Sequence, residues 1–383
     1  MQVYGKSNRG LAVGECLLIT GATGFIGGAV AAQLIAEGCG SQLCFLVRAA
    51  TPEQGLQRLL ANLYLHGLDG GSCRALSPAQ IICGDLLDRS WLKCTMPRLM
   101  KVDRVIHCAA VSSLSKSPSL WPVNVEGTFA FAEVMSNSLR LKRFVHVGAA
   151  MSCGFGCASP VSESWHFPDA QRQLAPSLAA KAEVERRMRK ALPGLPLLTA
   201  RPSMVVGHRR LGCQASGSLF WLYRMAFMLE CFTCERDQKL DVIPVDYCAE
   251  VLIALAIRPH LAHDLYHICA GIDGTCAFAD IDRAFALACG TEPAGERCRQ
   301  RPVDDLHALA GSLKSMFGPS NARRILCALR RYSRFATLGY VFDNSRLLDE
   351  GFTAPPCFTD YIDVCVESSK GVPITEQMQW DFK

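Results

Sequence analysis

A strand, a glycine turn and a helix follow one another near the start of the chain, and nothing else restricts its fold as tightly. Glu15 to Thr20 reads as a short buried strand. The run Gly21-Ala22-Thr23-Gly24-Phe25-Ile26-Gly27 spaces its glycines three apart, and Gly28 to Gly38 reads as a helix. A turn of this kind lets the backbone approach a pyrophosphate, which is then held by unpaired N–H groups at the helix N-terminus. Three glycines alone can mark any tight turn. The order strand, turn, helix is what makes a nucleotide site the reading here.

The first 200 residues go on alternating strand and helix. Apolar strand candidates fall at 15–20, 43–47, 79–83, 104–108, 143–148 and 196–201, with amphipathic stretches between most of them. Short, wholly apolar strands separated by helical patterns indicate a parallel sheet covered on both faces. Leu265 to Cys269 is expected to join the same sheet after an excursion. The fold class is therefore α/β: a doubly wound, Rossmann-like parallel sheet of about seven strands. Residues 1–210, completed by about 236–270, form its nucleotide-binding part. Residues 211–235 and 271–383 are helix-rich and less regular, and read as a cap whose cleft with the sheet takes substrate, since open α/β sheets bind ligands beyond the carboxyl ends of their strands.

Composition narrows the class. With 40 basic and 35 acidic residues in 383, the net charge of +5 is too mild to argue for nucleic acid. Residues 1–14 read as a loose leader without the charged, apolar and small-residue order of a signal peptide. The chain has 20 cysteines. They are scattered through strand and helix candidates (Cys16, Cys44, Cys83, Cys108, Cys269), which suits reduced thiols packed as small hydrophobes in a cytoplasmic protein. Cys231 and Cys234 make one C-x-x-C without a second pair at zinc-site spacing, so no metal is expected. The most lipid-like run, Gly217 to Cys234, is interrupted by Arg224 and Glu230 and reads as a buried or lid helix rather than a membrane span.

Seven short motifs in order carry a resemblance. Gly21 to Gly27, Leu46-Val47-Arg48, Gly84-Asp85-Leu86, His107-Cys108-Ala109-Ala110, Asn124-Val125-Glu126-Gly127-Thr128, Arg201-Pro202 and Val242 to Tyr247 together resemble an extended short-chain dehydrogenase/reductase. Within that superfamily the chain is most similar to the thioester-reductase and fatty-acyl reductase branch. The resemblance implies a cofactor site at Thr20, Gly21, Thr23, Gly24, Phe25, Ile26, Gly27, Arg48, Asp85, Leu86, Ala109, Ala110, Lys181 and Pro202. Arg48, at the end of the second strand, implies NADP(H): a cation there favours a 2′-phosphate, where a carboxylate would favour a free ribose hydroxyl. Asn124 is expected to brace the active-site helix and, through water, the catalytic lysine.

One departure from the family pattern stands out. The family places a tyrosine four residues before a lysine, so that one helical turn puts both on one face and the ammonium lowers the phenol pKa. The matching lysine is Lys181, and Ser177 holds the tyrosine position. The partner hydroxyl expected after the fifth strand meets Gly148, Ala149 or Ala150, with Ser152 two or three residues too late. Catalytic candidates are thus Lys181, Asn124 and Ser177. Three readings remain open: an atypical NADPH-dependent reductase of a carbonyl or acyl thioester, a non-redox cyclase, isomerase or dehydratase keeping the nucleotide as structure, and a nucleotide-binding pseudoenzyme. Ser112, Ser152, His166 and Tyr223 are candidate substrate residues. The apolar stretch Leu219 to Leu229 suggests a lipophilic or aromatic ligand, free or linked to CoA or to a carrier protein, for which the arginines of 323–334 offer a basic docking patch. A homodimer is possible.

Overall fold

The computed structural model describes residues 11–111, 117–168, 172–216, 219–296 and 299–381. Its centre is a parallel sheet of seven strands: β1 (Leu17–Thr20), β2 (Leu43–Val47), β3 (Ile81–Cys83), β4 (Arg104–His107), β5 (Arg143–Val147), β6 (Leu197–Pro202) and β7 (Leu265–Ile268), in the spatial order 3-2-1-4-5-6-7. Every expected strand is present, with its ends moved by no more than two residues. Leu17, Leu18, Ile19 and Thr20 are all buried, as are the five residues of β2. That is what a sheet covered on both faces requires. The chain order reverses between β1 and β4, which opens a crevice at their carboxyl ends.

Helices cover both faces. On one lie α1 (Phe25–Ala36), α2 (Pro52–Leu65) and α7 (Val245–Ile257). On the other lie α3 (Ser90–Leu99), α4 (Thr128–Ser136) and α5 (Pro176–Ala191). Gly27, Gly28, Ala29, Ala31 and Ala32 keep α1 thin, so it packs closely on α7. The helix-rich remainder includes α6 (Phe220–Met228), α8 (Phe278–Cys289) and the long segment α9 (Ala310–Ala336), which breaks at Gly318–Pro319. It builds two further apolar clusters, one around Phe220, Phe278, Phe285 and Phe358, the other around Trp221, Leu313, Ile325 and Leu329. No helix among the described residues is long and apolar enough to cross a membrane. The described cysteines are free thiols.

Candidate active site

The glycine turn is fixed by contacts that side chains would prevent. Gly21 has a φ of +72°, and a Cβ there would lie 2.7 Å from the amide nitrogen of Ala109. A Cβ on Gly27 would lie 2.4 Å from the Gly21 carbonyl oxygen. These two let β1, the loop after β4 and the first turn of α1 converge. Gly24 is different: it precedes α1, is exposed, and leaves its approach open. Thr23, Phe25 and Ile26 flank it, each partly exposed. Thr20 Oγ1 accepts from the Ala109 amide at 3.1 Å and is 2.9 Å from His107 Nδ1, while His107 Nε2 is 3.2 Å from Thr128 Oγ1. From α2, Asn62 donates its amide hydrogens to the carbonyls of Ala22 at 2.9 Å and Gly24 at 3.0 Å. Sequence reasoning missed Asn62. A polar residue on the buried side of α2, one turn before a glycine, was its only signal.

Beside this turn, at the ends of β2 and β3, Arg48, Gly84, Asp85, Asp88 and Trp91 line an open pocket of about 400 Å3. Trp91 Nε1 donates to the Asp85 carbonyl at 2.8 Å, and Leu86 is buried behind it. The Arg58 guanidinium bonds the Arg48 carbonyl, so a second cation stands at the same corner. The pocket itself holds one cation, Arg48, with the carboxylates of Asp85 and Asp88, and the exposed turn at the switch point fits a dinucleotide pyrophosphate.

Under the sheet edge lies a compact ionic group. Lys181, half-buried on α5, donates from Nζ to the Gly148 carbonyl at 2.7 Å. Burial holds its pKa below the usual lysine range, with the Glu185 carboxylate pulling the other way. One turn on, Glu185 Oε2 accepts from Arg201 Nε at 3.0 Å and Nη2 at 2.6 Å, and neither side chain is more than 3% exposed. Its other oxygen, Oε1, is buried with no partner among the described residues. A Cβ on Gly148 would lie 2.1 Å from that atom. At Gly148, one of the three positions expected for the partner hydroxyl, a side chain would therefore run into the Glu185 carboxylate. Burial pushes the Glu185 pKa up, against the lowering effect of Arg201.

The remaining candidates separate. Ser177 sits in the first turn of α5, one turn before Lys181. Asn124 lies in a π-helical turn, Pro122–Gly127, a form concentrated at functional sites. Its carboxamide accepts from the Val111 amide at 2.7 Å and donates to the Val111 carbonyl at 2.9 Å, so its direct bonds fix the exit of β4 beside Ala109 and Ala110. Pro202 closes β6. Ser152 is buried and donates to the Ala149 carbonyl at 2.6 Å. His166 is exposed on the loop before α5. Tyr223 is in the cap, its ring 5.2 Å from that of Phe358. Ser112 lies outside the described residues. No group of three or more potential metal ligands occurs among the described residues.

A family model of NAD-binding type, described as male sterility protein, matches residues 19–252. The chain belongs to this family. With it the chain is an extended short-chain dehydrogenase/reductase of the thioester-reductase branch. Among curated proteins it is similar to the aldehyde reductase lnaA of Aspergillus flavus, 28% identical over 274 residues that cover 66% of this chain and 25% of that relative. The chain thus spans about a quarter of the length of that protein. Among solved structures, the terminal R domain of the myxalamid PKS-NRPS biosynthetic pathway superimposes with a TM-score of 0.78 at 22% identity, covering 95% of this chain and 93% of that one. The PhqB reductase domain of Penicillium fellutanum gives 0.63 at 19%, covering 96% and 93%. The NAD-binding family model supports a nicotinamide cofactor.

Proposed function

We propose that this protein is an NADPH-dependent reductase of a carbonyl or acyl-thioester-derived lipophilic biosynthetic intermediate, working without the family tyrosine. The observation that carries the reading is the half-buried Lys181 ammonium, held on the Gly148 carbonyl at the carboxyl end of β5, two strands from the glycine turn that follows β1. The names of the similar proteins, an aldehyde reductase and the reductase domains of peptide- and polyketide-assembling enzymes, support it. In this reading residues 1–210 with 236–270 hold the cofactor, and the segments 211–235 and 271–383 hold the substrate.

When bound, the reduced nicotinamide supplies a hydride to the carbonyl carbon. The chain's own residues supply position and a proton. The open turn at Gly24 receives the pyrophosphate, Arg48 and Arg58 receive the 2′-phosphate, and Asn124 fixes the loop that carries Ala109 and Ala110. Lys181 stands in for the missing phenol. Desolvation brings its pKa towards the range where an ammonium gives up a proton to a developing alkoxide, and Ser177, one turn away, is placed to hold a water between them. Glu185 positions Lys181 through the ionic group it shares with Arg201.

Anaerobic incubation with NADPH and a panel of aldehydes and acyl thioesters, followed by accurate mass, tests this. Reduction makes the alcohol two hydrogens heavier than its aldehyde, or releases aldehyde and free thiol from a thioester. Lys181→Met is expected to lower turnover by about a hundredfold or more, the range of a lost general acid. A product equal in mass to its precursor, or lighter by water, would sink reduction and favour a non-redox reaction on this fold. The Glu185 carboxylate crowding Gly148 is the observation that keeps that alternative in view.

A further inference from the structure

The cap contains a cavity of about 110 Å3 between α6, the strand Cys231–Phe232 and the second half of α9. Met204, Tyr223, Ala226, Phe232, Leu329 and Ala336 are among its walls. Its lining is mostly apolar, and no charged side chain among the described residues contributes to it. Its polar side chains are the hydroxyls of Tyr223, Thr233, Tyr332 and Ser333, so a phosphate or a carboxylate has no charged partner there. Burial pushes the Tyr223 phenol above its ordinary range, so this hydroxyl stays neutral and adds no charge.

Two further features give the cavity a role. Met204 reaches it from two residues beyond Pro202, the last residue of β6, so one wall continues directly from the carboxyl edge of the sheet where the cofactor site lies. Its volume is that of a small apolar group: dry protein cavities of about 150 Å3 take up benzene. We propose that this cavity receives the side group of the substrate, and that the group is neutral, apolar and about the size of a phenyl ring or a branched aliphatic side chain. The inference rests on the reductase reading for the word substrate. It goes beyond that reading in fixing which carbonyl compounds are taken: those that carry one compact apolar group. A two-carbon acyl group leaves the cavity empty, and a long unbranched chain overfills it.

The test has two arms. In the first, the full chain labelled at methionine methyl groups is titrated with toluene, with the Met204 resonance assigned through Met204→Leu. A saturable shift at Met204 is expected, and Ala336→Phe, which fills the cavity, abolishes it; Ala226→Phe does the same from α6 should the first variant not fold. No shift, or a shift that survives both fillings, overturns the proposal. In the second arm, NADPH oxidation is followed with aldehydes and N-acetylcysteamine thioesters carrying acetyl, phenylacetyl and dodecanoyl groups. Phenylacetyl compounds are expected to lead in kcat/KM by about tenfold or more, the range for filling one apolar pocket. Toluene binding without that preference also overturns the proposal. Toluene binding with no turnover of any compound leaves the cavity intact and sinks the reductase reading instead.

Discussion

Gly148 carries no side chain because Glu185 needs the room. The carboxylate is pinned by two bonds from Arg201, so the oxygen facing Gly148 has little freedom to retreat. A hydroxyl introduced by Gly148→Ser would push a Cβ and an Oγ into that oxygen and strain a fully buried ion pair. Overpacking of this order costs about 1–3 kcal/mol, and the lysine bonded to the Gly148 carbonyl moves with the strand. Gly148→Ser is therefore expected to lower the denaturant midpoint and to reduce turnover rather than rescue it. A stable variant with improved turnover would show that the site has simply lost a hydroxyl and that Glu185 does not take its place. The two departures expected from the sequence, Ser177 at the tyrosine position and glycine or alanine at the hydroxyl position, would then differ in kind. The first shortens a side chain on α5, and a glycine at 148 leaves room for the Glu185 carboxylate, whose charge opposes the desolvation of Lys181.

At the scale of elements, β2 and the pocket at its end are where the proposed choice of NADPH over NADH is tested. Arg48 follows Val47 directly, and the start of α2 brings Arg58 back against its carbonyl. Arg48→Glu puts a carboxylate where a 2′-phosphate would sit, and a like-charge contact costs affinity that a free ribose hydroxyl does not lose. Fluorescence titration is expected to show NADPH binding weakened about tenfold or more, with NADH binding kept or improved. Equal losses for both would assign Arg48 to general charge and leave cofactor choice elsewhere. Strands and glycine turn were legible in the sequence because their signals are local: a run such as Leu17-Leu18-Ile19 is buried on both faces whatever surrounds it, and Gly21 answers to its own φ. Asn62, Glu185 and the cap cavity were not legible. Each acts through atoms contributed by elements 16 to 130 positions apart, and no spacing rule joins α2 to the turn after β1 or α6 to the end of α9. Arg201 was read as part of a motif, but its buried partner emerged only once α5 lay against β6.

For the molecule as a whole, the layer that supports the site sets how the fold responds to acid. Thr20, His107, His146 and Thr199 are register partners across β1, β4, β5 and β6, a polar row inside an otherwise apolar sheet. Burial holds the His107 pKa at about 3 and that of His66, behind the glycine turn, at about 4; His267 on β7 is likewise near 3. His146 is lowered too, and both its ring nitrogens lack partners among the described residues. These imidazoles stay neutral in the fold but take up protons near pH 6.5 once the chain unfolds, so their contribution is complete above pH 6.5 and is lost as pH falls below it. Two buried carboxyls work the other way. Glu163, raised to about 7, and Asp241, raised to about 6, keep protons that the unfolded chain releases above its ordinary carboxyl pKa, so they stabilise the acid side of that window. With His208 lowered and Glu185 raised as well, five imidazoles against three carboxyls leave a net uptake on unfolding. Stability is expected to change little between pH 8 and 6.5 and then to fall, by up to about 1.4 kcal/mol per pH unit for each net proton. Urea unfolding at pH 8, 6.5 and 5 reads this directly, and His146→Phe, which fills the same slot with an uncharged ring, is expected to shallow the fall. Stability that holds or rises from pH 6.5 to 5, or a fall that His146→Phe does not change, would mean that water or the bound cofactor already satisfies this row and that the imidazoles carry no acid switch.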